Sequence, residues 1–111
     1  MLPKQELPEC PVATTVELIG NKWKLLIIRN LLDGEQRFTQ LKNGIPGISQ
    51  KVLTDNLRIM EEEGIISREV FAQVPPKVIY SLTEIGKSLL PIIDAMAEWG
   101  DNYKNNLNWQ T

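Results

Sequence analysis

At 111 residues, 42% hydrophobic and 23% charged, the chain has the size and composition of one soluble globular domain. Its census excludes several chemistries: without histidine there is no Ser-His-Asp triad and no histidine-bearing zinc site, and one cysteine makes neither an internal disulfide nor a CxxC centre. The formal charge of −2 is uneven, being −2 over residues 1–20, +4 over 21–60 and −4 over 61–111, and a local patch rather than the mean sets the field a phosphate feels.

Residues 1–11 hold Pro3, Pro8 and Pro11 and read as an extended arm. Pro11 suits the first position of a helix over 12–19, which makes Cys10 its N-cap, and Gly20 ends that helix. In "GNKWKLLIIRNLLDG" Asn21 caps a second helix that closes before Gly34. Its apolar residues cover most of the circumference, which predicts a central, largely buried element.

"RFTQLKNGIPG" predicts a short helix capped by Thr39, ending near Asn43 at the "GIPG" turn. A longer helix follows with Ser49 as its cap. Two helices joined by a tight Gly/Pro turn form a helix-turn-helix. The runs 65–73 and 77–82 are rich in β-branched and aromatic residues and predict a hairpin whose tip is stiffened by Pro75 and Pro76. Thr83 caps a last helix with a stripe of Ile85, Leu89, Ile92, Ile93, Met96, Trp99, Tyr103 and Leu107, kinked at Pro91. The expected class is therefore α+β, mainly α with one small hairpin. Its order is that of a winged helix-turn-helix, in which the second helix of the pair enters a major groove and the hairpin lies on the backbone or minor groove.

The helix after Ser49 raises a conflict of sign, because basic Lys51 and Arg58 precede Glu61, Glu62 and Glu63. At 100° per residue, Val52, Leu53, Leu57, Ile59 and Met60 form one side, and Lys51, Thr54, Asp55 and Arg58 the other, with Gln50 at the border. Glu62 lies about 16 Å beyond Lys51 at 1.5 Å per residue. That exceeds a Debye length of roughly 8 Å, so its repulsion of a phosphate near Lys51 is mostly screened. Glu61 is also spaced to orient Arg58.

No GxGxxG or Walker loop is present and no convergent reactive set stands out, so no enzyme, metal or cofactor is expected. No apolar run reaches the roughly 18 residues of a membrane span and no signal-peptide pattern opens the chain, which predicts a cytoplasmic protein.

Three stretches, "CPVATTVELIGNKWKLLIIRNLLDG", "RFTQLKNGIPGISQKVLTDNLRIMEEEGII" and "VPPKVIYSLTEIGKSLLPII", resemble the HxlR-type transcriptional regulators, relatives of the MarR group, from about Cys10 to Tyr103. The resemblance implies a small bacterial homodimer acting on near-palindromic double-stranded operators, often in response to an oxidant or electrophile. It makes 49–63 the recognition helix, with Ser49, Gln50, Lys51, Thr54 and Arg58 contacting DNA. It makes 71–79 the wing, with Lys77 on the backbone, and leaves Arg37 and Lys42 as lesser candidates. It places the family's responsive cysteine at Cys10.

The domains implied are an arm (1–11), a winged-helix core (12–82) and a dimerisation helix (83–111). The last helix offers more apolar length than the small core can cover, and its distal Trp99, Tyr103 and Leu107 are expected on a partner helix together with helix 1. For Cys10 two readings stand. The unpaired N–H groups at a helix start favour a thiolate and hence a sensor, while a small apolar residue beneath helix 1 is the structural alternative. Two other functions stay open. A winged-helix module for protein contact suits the acidic balance, and a small-ligand sensor would use Trp23, Trp99 and Tyr103.

Overall fold

The computed structural model describes residues 6–106. In chain order it contains α1 (Pro11–Ile19), α2 (Lys22–Leu32), α3 (Phe38–Gly44), α4 (Gln50–Glu62), β1 (Ile66–Phe71), β2 (Lys77–Leu82), α5 (Glu84–Lys87) and α6 (Leu90–Asn106). This is the expected winged helix-turn-helix: an α3–turn–α4 pair followed by one antiparallel hairpin. Leu107 lies outside the described residues.

α1 begins at Pro11, behind a Cys10 of extended backbone whose side chain makes no capping bond. Asn21 caps α2, its Oδ1 accepting from the Lys24 N–H at 2.8 Å. α2 is the central element, packed against α3, α4, β2 and α6, with Ile27 and Ile28 fully buried. Leu41 and Ile45, Leu53 and Met60 of α4, and Ile66 of β1 complete the largest core side chains. Each is worth roughly 1.5–3 kcal/mol relative to exposure. Gly47, at φ +82°, turns the chain between buried Ile45 and Ile48, a left-handed conformation that a side chain would strain.

Four local expectations change. α3 is capped at Arg37 rather than Thr39. Gln40 Oε1 accepts from the Arg37 N–H at 2.8 Å, the returning half of a capping box, so the helix start is fixed by a glutamine at its third position rather than by a hydroxyl at its cap. β1 is shorter than predicted, and residues 72–76 form the tip between Phe71 and Lys77, which are paired. β2 has a second neighbour, because Gln36 exchanges backbone hydrogen bonds with Tyr80 at 2.9 and 2.8 Å and ties the α2–α3 loop to the wing.

The last helix is broken rather than kinked. Thr83 caps only α5, its hydroxyl accepting from the Gly86 N–H at 3.1 Å, and α6 starts afresh at Leu90. A continuous helix would need the Pro91 N–H to bond the Lys87 carbonyl. Proline has no such donor, and its ring collides with that carbonyl. Gly86 is buried where a Cβ would run into the Ile65 carbonyl, so α5 docks tightly on the start of β1.

α6 then leaves the core. It has no buried residue, and only Leu89 just before it and Ile93 pack partly on the cluster. The radius of gyration is 16.0 Å, against about 13 Å for a compact domain of this length.

Candidate nucleic-acid interface

The surface of α4 follows from its cap and its period. Ser49 Oγ accepts from the Val52 N–H at 3.1 Å, starting the helix and leaving the hydroxyl proton free to donate. Leu53, Leu57 and Met60 turn inward, and Ser49, Gln50, Lys51, Thr54 and Arg58 are exposed. Ile59 does not join the inner side as expected and is 37% exposed. It lies about 120° from Leu53 around the helix, at the edge of the stripe. Asn56, about 60° away, takes the inner place. Its Oδ1 accepts from Asn21 Nδ2 at 3.3 Å and its Nδ2 donates to the Val52 carbonyl at 2.8 Å, so its burial leaves no polar atom unpaired.

The exposed charges are linked. Lys51 Nζ donates to Asp55 Oδ2 at 2.7 Å, and Arg58 Nη2 lies 3.8 Å from Asp55 Oδ1. The Lys51 hydrogen bond holds Asp55 below its usual carboxylate range, partial desolvation opposes it, and the charges of Lys51 and Arg58 add to it. Asp55 therefore stays ionised and organises the two cations across about two turns of helix. Glu61 does not orient Arg58. It faces Arg68 of β1 instead, Oε1 to Nε 3.5 Å, because the hairpin brings a second cation to that side of α4.

One residue counted in the local excess of +4 is internal. Lys24 is buried and pairs with Glu63 at 2.7 Å, while donating to the Leu18 carbonyl at 3.2 Å. It offers nothing to a phosphate outside. Glu63 is likewise neutralised, so one of the three glutamates that seemed to oppose DNA is part of the interior.

Thr54 and Arg58 of α4 come together with Leu57, Glu61, Arg68 and Tyr80 around a cleft of about 230 Å³ between helix and hairpin. Nothing in the residue pattern singles out Arg68, although the period of two places it on the same strand face as buried Ile66, the side turned toward α4. Lys77 is half-buried, with its Nζ 5.2 Å above the Phe71 ring, and the tip beyond carries Val74 at 99% exposure. The wing's lysine is thus folded onto its own strand partner. Arg37 and Lys42 are exposed, at the cap and on the body of α3.

A second surface is apolar. Along α6, Leu90, Ile92, Met96, Trp99 and Tyr103 are exposed, the last two stacked with ring centroids 5.3 Å apart. On α1, Val12 and Val16 are exposed, as is Cys10. The reading of Cys10 as a residue tucked beneath α1 does not describe its place in the single chain.

A model of the HxlR-like helix-turn-helix family matches residues 18–108. The chain belongs to that family. Among its relatives, the uncharacterised HTH-type transcriptional regulator YdeP of Bacillus subtilis is 48% identical over 99 residues, 89% of this chain and 77% of YdeP. The redox regulator HypR in its reduced form superposes with a TM-score of 0.84 at 45% identity, covering 89% of this chain and 98% of HypR. The diamide-treated YodB of B. subtilis gives 0.71 at 40% identity, covering 85% and 94%. This HxlR-family chain is thus similar to helix-turn-helix transcriptional regulators over most of its length. Among the described residues, no helix is long and apolar enough to cross a membrane.

Proposed function

We propose that the chain is a transcriptional regulator that binds duplex DNA as a homodimer, with α4 in a major groove and the hairpin on the neighbouring backbone or minor groove. The observation that carries this reading is the exposed arc of α4. Ser49, Gln50, Lys51, Thr54 and Arg58 face solvent on a helix whose opposite side is fixed in the core. Long donors and short hydroxyls on a rigid element are the groups that reach phosphates and base edges. The partner is a near-palindromic operator, since two-fold symmetry in the protein asks for two-fold symmetry in the site.

In this reading residues 12–82 form the DNA-binding unit and 83–111 carry dimerisation, with Trp99 and Tyr103 of α6 and the outer face of α1 meeting the partner. It works in the cytoplasm. The signal is an oxidant or electrophile acting at the exposed Cys10 thiol, a reading supported by likeness to the redox regulator HypR and to the diamide-treated form of YodB. Footprinting on the DNA flanking the protein's own gene tests the whole. Protection of two half-sites about one helical turn apart supports it. Uniform cleavage at saturating protein overturns it.

A further inference from the structure

We infer that the cleft between α4 and the hairpin is a backbone-phosphate site, in which Arg58 and Arg68 grip one phosphodiester and Glu61 holds Arg68 until DNA arrives. The inference rests on the DNA-binding reading above and adds to it a residue, a ligand group and a switch of partners.

Three observations converge. The cleft, about 230 Å³, is lined by two guanidinium-bearing residues from different elements, Arg58 on a helix and Arg68 on a strand. Guanidinium groups present planar, multiple N–H donors that match a phosphate, so two of them at one small opening suit an anion of that shape. Thr54 and Tyr80 supply hydroxyls on the same walls. Tyr80 is half-buried and lies in the fields of Arg68 and Glu61; burial raises its pKa above the ordinary 10.0, so it keeps its proton as a donor.

Glu61 is the competing anion. Its ion pair with Arg68 is long, 3.5 Å, and both side chains are exposed enough to be well solvated. Exposed pairs of this kind hold weakly and are screened by salt. A phosphodiester entering the cleft gains two charge-assisted partners and displaces two weak, solvated contacts, Glu61–Arg68 and the 3.8 Å Asp55–Arg58 pair, so exchange is favourable. Because Arg68 sits opposite Tyr80 in the hairpin register, and Tyr80 is tied to Gln36, a phosphate held there also fixes the wing against α4. The wing's cation for DNA is Arg68, since Lys77 lies over Phe71.

The test is a fluorescence titration of a labelled mixed-sequence duplex and of a labelled duplex from the protein's own upstream DNA, across salt concentrations. Wild type is compared with Arg58→Ala, Arg68→Ala, their double variant and Glu61→Gln, with melting temperatures recorded for each. Arg68→Ala is expected to lose roughly tenfold in affinity on both duplexes and to flatten the salt slope by about one unit. Arg58→Ala and Arg68→Ala together are expected to lose less than the product of their separate losses, because they share one phosphate. Glu61→Gln is expected to tighten both duplexes several-fold. Should Arg68→Ala melt early, Arg68→Gln, which keeps most of the stem, carries the comparison. Wild-type affinity and slope in the Arg68 variant, or losses that simply multiply, overturn the shared site while leaving the DNA reading intact. Absence of any duplex binding by wild type overturns that reading itself.

Discussion

Lys24 of α2 and Glu63 at the end of α4 form an ion pair of 2.7 Å with only 7% and 9% of their side-chain surfaces exposed. The Lys24 ammonium also donates to the Leu18 carbonyl, so three elements meet at one charge. Together with the Asn21–Asn56 bond, this tethers the α1–α2 junction to the inner side of α4 at two heights. α4 is thereby held in one rotation about its axis. Breaking such a pair from one side strands a charge in the interior, whereas replacing both with apolar groups removes the problem. Lys24→Ala or Glu63→Ala is expected to cost about 3–5 kcal/mol in urea unfolding. The Lys24→Met/Glu63→Leu double variant should recover most of that loss, and equal loss in single and double variants would show that the pair is not the cause.

The exposed stacked rings of Trp99 and Tyr103 lie 68% and 54% open on a helix with no buried residue. Apolar area of this extent on an isolated element is stabilised by a partner. Sedimentation at micromolar concentration should give a dimeric mass for wild type and a monomeric mass for Trp99→Glu/Tyr103→Glu. A monomeric wild type would assign these rings another role.

Cys10 is exposed ahead of α1. With one cysteine per chain, a disulfide at Cys10 forms either with a small thiol or with a second protomer, and with diamide alone it is the latter. Two Cys10 thiols give up two protons and two electrons to the azo bond, forming one S–S bond and a reduced hydrazide. Diamide should produce a covalent dimer on a non-reducing gel and change duplex affinity several-fold in wild type, with neither effect in Cys10→Ser. The same response from both proteins dismisses the thiol.

Asp55 ties down the cations of α4 and adds an anion near any bound phosphate. Asp55→Asn should therefore tighten duplex binding several-fold. Its pKa is lowered in the folded state, so its pairing is complete above the ordinary 3.8 and is lost as pH falls through the lower folded value. Neutral-pH binding does not vary through this group. An NMR titration should place the Asp55 midpoint below 3.8 in wild type and nearer to it in Lys51→Ala; an identical midpoint in both would remove Lys51 as the cause.

Much of this architecture is readable from local chemistry. Asn21 and Ser49 cap the helices that their side chains predict, because a single acceptor on the first turn decides the matter. The exposed arc of α4 follows from its period alone. What escapes the sequence depends on contacts far along the chain. The Lys24–Glu63 pair spans 39 positions and the Asn21–Asn56 bond 35, and neither is announced by spacing. The Gln36–Tyr80 pairing is one residue long and shows no alternation. Arg68 acquires its place beside α4 only when the hairpin folds back, and the same fold takes Glu61 away from Arg58. Pro91 was visible as an interruption, but whether it bends or ends a helix depends on α5 docking through Gly86.

The central claim is that the exposed arc of α4 meets DNA phosphates. Titrating a labelled operator duplex against wild type and Lys51→Ala/Arg58→Ala over a range of salt tests it most directly. Loss of two phosphate contacts should weaken binding and flatten the plot of log affinity against log salt by about two units. An unchanged affinity and slope in the double variant would contradict the claim.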